Sequence, residues 1–148
     1  NTLIDNGLGI IISQERNSVV IGNKIKGTII GTHFIFEEYT NCFVGGNTIV
    51  CNREKGIESN NGQFGMIIDN EISYNGDSGI LLGEESSGNL VMNNKLICNV
   101  PENITNRSIN NNIINNIDKP CEPCESPSVV CDVFSEEDNS INGIKGRC

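Results

Sequence analysis

The sequence predicts an all-β chain wound as a right-handed parallel β-helix of about five coils, followed by a cysteine-rich C-terminal cap or tail. Three observations carry this. An asparagine recurs at Asn1, Asn23, Asn47, Asn70 and Asn94, with spacings of 22, 24, 23 and 24 residues. A glycine follows each of the first four at a similar period, at Gly9, Gly31, Gly56 and Gly79. Between these anchors the apolar residues fall into short alternating runs, too brief and wrongly spaced for helix. Self-similarity at such a period is the mark of a solenoid.

The elements follow in order. The first coil opens with "NTLIDNGLGIII" at 1–12, the second with "NKIKGTIIGTHF" at 23–34, the third with "NTIVCNREKGIES" at 47–59 and the fourth with "NEISYNGDSGILL" at 70–82. A fifth starts at "NKLICN", 94–99. A third short run leads into each asparagine, as in "NSVVIGN" at 17, "NCFVGGN" at 41, "FGMIIDN" at 64 and "GNLVMNN" at 88. Three brief strands per period, with Asn or Gly at the bends, describe a β-helix whose strands pair one coil up and one coil down, about 4.8 Å away. The leucine-asparagine consensus of leucine-rich repeats is absent. Asn23, Asn47, Asn70 and Asn94 are therefore structural. The bend needs a residue tolerant of positive φ, and stacked amides can bond along the axis as a ladder.

Composition agrees. The chain has 148 residues, long enough for one core, and no tryptophan among its few aromatics. That core must come from Ile, Val and Leu, which favour extended chain. A net charge of −9 argues against nucleic acid and anionic membrane as partners. No apolar run reaches the roughly 20 residues of a membrane span, and no signal peptide is visible. Because the chain begins at Asn1, it is expected to be processed or part of something longer. Seven cysteines, four of them within Cys121 to Cys148, point to an oxidising, extracellular or cell-surface setting.

Over residues 1 to about 100 the repeats resemble the pectate-lyase-like β-helix superfamily. That resemblance implies the fold but leaves activity open, because the superfamily holds lyases, hydrolases, epimerases, phage tailspikes and non-enzymatic surface proteins. Enzymes of this resemblance often set an acid, a base and an arginine along a sugar groove on an outer sheet face. Counted from the anchor glycines, the second position carries Ile11, His33, Glu58 and Leu81, which should point outward. His33 and Glu58 thus fall on adjacent coils as the candidate catalytic pair, a general base and its orienting partner. No paired aspartates suit a glycosidase there, and no arginine suits a lyase. An ordinary cross-strand pair is the plainer reading.

Other motifs resolve more simply. Arg53, Glu54 and Lys55 fill a connecting bend and read as solvated charge. "GDSG" at 76–79 resembles a protease nucleophile segment only by accident, since Gly79 is the coil's anchor and the chain is too short for that fold. "DNSING" at 138–143 matches the opening of a calcium loop, but its twelfth position falls beyond Cys148, so calcium is a weak candidate and no other metal or cofactor is expected. Cys51 and Cys98 share a repeat position two coils apart, too far to bond each other, and with Cys42 read as small packing residues. Cys121, Cys124, Cys131 and Cys148 read as disulfides stapling the tail rather than zinc ligands. An odd total leaves Cys148, at the very end, placed to bond a neighbouring subunit. Asn103 and Asn106 sit in overlapping glycosylation acceptor motifs.

The expected organisation is repeats over 1–117 and a disulfide-stapled Cys/Pro tail over 118–148. Coil sequence starts at residue 1 with no cap before it, so either upstream coils are missing or another subunit docks there. Head-to-tail stacking would build a filament. The function expected is a non-enzymatic structural or adhesive surface module that self-associates through its coil ends. The alternatives are a polysaccharide lyase or epimerase using His33 and Glu58, and a carbohydrate-binding module with Tyr39 and Tyr74 as its aromatic platform.

Overall fold

The computed structural model describes residues 1–13, 16–35, 41–121 and 131, with Ser13 and residues 32–35 described by backbone alone. Three parallel sheets run along one axis. Sheet A stacks six strands: β1 (Thr2–Ile4), β4 (Lys24–Lys26), β7 (Thr48–Val50), β10 (Glu71–Ser73), β13 (Lys95–Ile97) and β16 (Ile117–Lys119). Sheet B stacks β2 (Leu8–Ser13), β5 (Ile30–Ile35), β8 (Ile57–Ser59), β11 (Ser78–Leu82) and β14 (Glu102–Asn106). Sheet C stacks β3 (Val19–Ile21), β6 (Phe43–Gly45), β9 (Met66–Ile68), β12 (Leu90–Met92) and β15 (Asn112–Ile114). Each strand pairs with its counterpart one coil away, so the chain makes five full coils and the first strand of a sixth. The parallel β-helix is the fold the repeats predict.

The period-2 pattern decides what is inside. The middle residue of each sheet A strand points inward, giving the column Leu3, Ile25, Ile49, Ile72, Leu96. Ile25, Ile49, Ile72 and Leu96 are fully buried. Ile57 and Ile80 in sheet B, and Val20, Val44, Ile67 and Val91 in sheet C, complete the core. Each such side chain gains about 1.5–3 kcal/mol from leaving water. The column ends at Asp118, which takes the place opposite Leu96 in β16. A charged group there terminates the apolar stack.

The anchor glycines have a steric reason. A Cβ on Gly56 would lie 2.6 Å from the Gly79 carbonyl oxygen, and one on Gly31 would lie 2.6 Å from that of Gly56. Neighbouring coils approach too closely at the entry to sheet B for any side chain.

The asparagines differ from expectation in one respect. The positive-φ residue of each bend is the one before the ladder asparagine, not the asparagine itself. Gly22, Gly46, Asp69, Asn93 and Asn115 hold the left-handed conformation between sheets C and A. Asp5, Gly27, Cys51, Tyr74 and Cys98 do so between sheets A and B, and Asn17, Asn41, Phe64 and Gly88 between B and C. The ladder residue follows, in ordinary conformation, with its side chain turned into the interior.

Candidate functional site

The polar interior is built by these bends. Between sheets C and A, Asn23 Nδ2 donates to Asn47 Oδ1 (3.1 Å), Asn47 to Asn70 (2.9 Å), Asn70 to Asn94 (2.9 Å) and Asn94 to Asn116 (3.0 Å). Each Oδ1 also accepts the backbone N–H of the preceding coil's asparagine, as Asn70 does from Asn47 at 3.0 Å. Asn1 joins at the first rung. A second ladder, absent from the sequence reading, runs between sheets A and B: Thr28 to Asn52, Asn52 to Asn75, Asn75 to Asn99 and Asn99 to Asn103. It ends where Asn103 Nδ2 donates to Asp118 Oδ1 at 2.6 Å. A carboxylate accepts and donates nothing, so it closes the run of donors. Between sheets B and C, Asn89 pairs with Asn111. The recurrence of Asn52, Asn75 and Asn99 at nearly the same period was the signal for the second ladder.

Among the predicted site residues, His33 and Glu58 are register partners on β5 and β8, as the repeat spacing implied. The His33 side chain lies outside the described residues. Glu58 is 8% exposed, so its carboxylate is buried rather than displayed on an open face. It accepts a hydrogen bond from Asn60 Nδ2 at 3.4 Å and lies 3.8 Å from Lys55 Nζ. Leu81, next along the same column, is also buried, whereas Ile11 is 45% exposed.

Lys55 corrects the picture of a solvated bend. Arg53 and Glu54 are exposed, but only 15% of the Lys55 side chain is. Its ammonium lies 3.0 Å from Asp77 and 3.6 Å from Glu54, besides Glu58. Burial works against the charge, but the hydrogen bond to Asp77 and the charges of Glu58, Asp77 and Glu54 outweigh it and raise the pKa above 10.5. A folded pKa above the unfolded one stabilises fully below the unfolded value, and the contribution is lost as pH climbs through the folded value. The stability difference between wild type and Lys55→Met is therefore expected to be constant at neutral pH and to shrink once pH passes 10.5. Urea titrations at stepped pH read this directly. A difference that stays constant through that window refutes the assignment.

Two of the tail cysteines, Cys121 and Cys131, form staples, but to the solenoid. Cys51 bonds Cys131 and Cys98 bonds Cys121. Cys51 and Cys98 are thus not the packing residues the sequence suggested. Each holds the left-handed position of its A-to-B bend, with Tyr74 on the coil between them. Cys131 Sγ also reaches the Tyr74 carbonyl at 3.5 Å. Cys121 and Cys131 thus sit on this flank, the first at coil five and the second at coil three. Cys42 is buried. Cys124, Cys148, Tyr39 and the 138–143 calcium motif lie outside the described residues.

The two glycosylation motifs separate. Asn103 is 6% exposed and its amide is bonded to Asn99, Asp118 and Lys119. Asn106 is exposed at the end of β14, where its Oδ1 accepts from Ser108 N and Asn111 Nδ2. Beside Asn103 a cavity of about 590 Å³ opens against Pro101, Glu102, Asp118 and Cys121.

Among the described residues, no helix is long and apolar enough to cross a membrane. Residues 1–120 match a family model described as "Periplasmic copper-binding protein (NosD)". No curated protein and no solved structure matches the chain.

Proposed function

The chain belongs to the NosD family, and from that premise we propose that it is a non-enzymatic structural or adhesive module working outside the cytoplasm and self-associating through its coil ends. The observation behind this reading is the use made of buried polar groups. Asn47, Asn70, Asn75 and Asn94 are almost fully buried and are engaged in joining one coil to the next. Such a chain gains a stiff, repetitive body, which suits a spacer or surface element. Light scattering on the purified protein, with accessible thiols blocked, is the test. Open-ended oligomers that grow with concentration are expected, and a strict monomer at all concentrations refutes end-to-end association.

The second reading is a polysaccharide lyase or epimerase, favoured by the His33–Glu58 register pairing on adjacent coils. It is tested by incubating the protein with acidic polysaccharides and following the ultraviolet absorbance of unsaturated products. Turnover that disappears in His33→Ala would replace the structural reading. Retention on a glycan column without turnover would identify a carbohydrate-binding module.

The copper of the family description requires imidazole, thiolate or thioether donors that converge. The whole sequence holds one histidine, His33, and two methionines, Met66 and Met92. Cys51, Cys98, Cys121 and Cys131 are removed as ligands by their disulfides. Among the described residues no three His, Cys, Asp or Glu side chains gather. The described residues therefore offer no donor set that fits a resident copper ion. Equilibrium dialysis against copper, followed by a chelator wash, is expected to leave no stoichiometric metal on the protein. One retained equivalent would refute this.

A further inference from the structure

We propose that the outer face of sheet C is a lateral self-association surface whose occupant is sheet C of a second copy. This is independent of end-to-end stacking. In β3, β9 and β12 the middle residue turns inward and the two flanking residues outward. Register carries these columns through β6, where Gly45 is buried, and β15, where all three residues are exposed at the end coil. Those outward positions carry Val19, Ile21, Phe43, Met66, Ile68 and Met92, with Leu90 and Ile114 continuing the columns. Val19 is 64% exposed, Ile21 61% and Met66 39%. No outward position of the five strands carries a charge. Sheet A differs: its outward positions include Lys24, Lys26, Glu71, Lys95 and Lys119, with a Lys95–Glu71 ion pair of 2.7 Å. The strip is small but uncharged, interrupted by Gly45 and Asn112, and its exposed Val19, Ile21 and Met66 are the side chains that a contact would cover.

Two features select a second copy as the occupant. The chain carries a net charge of −9. An identical molecule is repelled wherever charged faces meet, and sheet C is the sheet that brings no charge to the contact. The strip is also periodic, with side-chain rows about 4.8 Å apart. A facing sheet C has the same row spacing, so the two sets of rows interlock along their whole length when related by a twofold axis. Size sets the strength. Five strands of three residues cover about 24 Å by about 10 Å, well below the roughly 800 Å² per partner of a stable dimer. The association is therefore weak and concentration-dependent.

Sedimentation velocity over a concentration series, with accessible thiols blocked, tests this on the full chain. A monomer–dimer equilibrium is expected, and added salt should tighten it by screening the net charge. Met66→Lys, on the central strand, should weaken dimerisation by at least about tenfold, equivalent to about 1.4 kcal/mol. Val19→Lys, at a more exposed position, should also weaken it and guards against a folding defect. A protein that stays monomeric across the series, or association that both variants leave unchanged, overturns the proposal. Growth beyond dimers that ignores both substitutions assigns the contact to the coil ends instead.

Discussion

Asn70→Ala is expected to lower the free energy of unfolding by roughly 3–5 kcal/mol, among the largest effects of any single substitution here. Asn70 is 2% exposed. Its Nδ2 donates to Asn94 Oδ1, Val44 O and Ile68 O, and its Oδ1 accepts both the backbone N–H and the side-chain amide of Asn47. Alanine removes all five bonds: the buried Asn47 N–H loses its acceptor and the Val44 carbonyl loses this donor, while Asn47 Nδ2 keeps Val20 O and Gly45 O. Each orphaned group costs about 1–3 kcal/mol, set against a total stability of about 5–15 kcal/mol for a domain. Asn70→Asp keeps the acceptor but loses the donors and buries a charge, so it is no rescue. Asn116→Ala, at the half-buried last rung, should cost only about 1 kcal/mol. Urea denaturation of the three variants checks the order. Equal costs for Asn70→Ala and Asn116→Ala would show that the ladder does not hold the coils.

Removing the staples is the second large effect. Cys51–Cys131 closes a separation of 80 residues and Cys98–Cys121 one of 23. Chain entropy gives about 4.5 kcal/mol for the first and about 3.4 kcal/mol for the second. The pair Cys51→Ser and Cys131→Ser is therefore expected to destabilise more than Cys98→Ser and Cys121→Ser. Both figures are upper values, because the loops are nested. Urea midpoints of the two double variants decide it, and the reverse order would contradict this pairing.

The legible part of the fold was whatever repeats. Asn23, Asn47, Asn70 and Asn94 announced their own stacking, and counting from Gly31 and Gly56 placed His33 beside Glu58. What escaped depends on where side chains turn. The ladder asparagines were credited with positive φ because asparagine tolerates it, yet residues such as Gly46 and Asp69 take that role and free the next residue to turn inward. The second ladder was hidden because its first rung is Thr28 and because Asn52 sat inside a charged stretch. Lys55 looked solvated because sequence does not reveal that Asp77, a coil away, closes over it. Cys51 and Cys98 were rightly kept apart from each other. Their partners, Cys131 and Cys121, lie beyond the repeats, where no period fixes the pairing.

The coils lie directly on one another, and a crystal structure of the full chain tests that most directly. The expected result is Asn47 Nδ2 at about 2.9 Å from Asn70 Oδ1, with Ile49 and Ile72 paired in one parallel sheet. Side chains of Asn47 and Asn70 pointing to solvent on separate elements, or helices or an antiparallel sandwich in place of the coils, would contradict it.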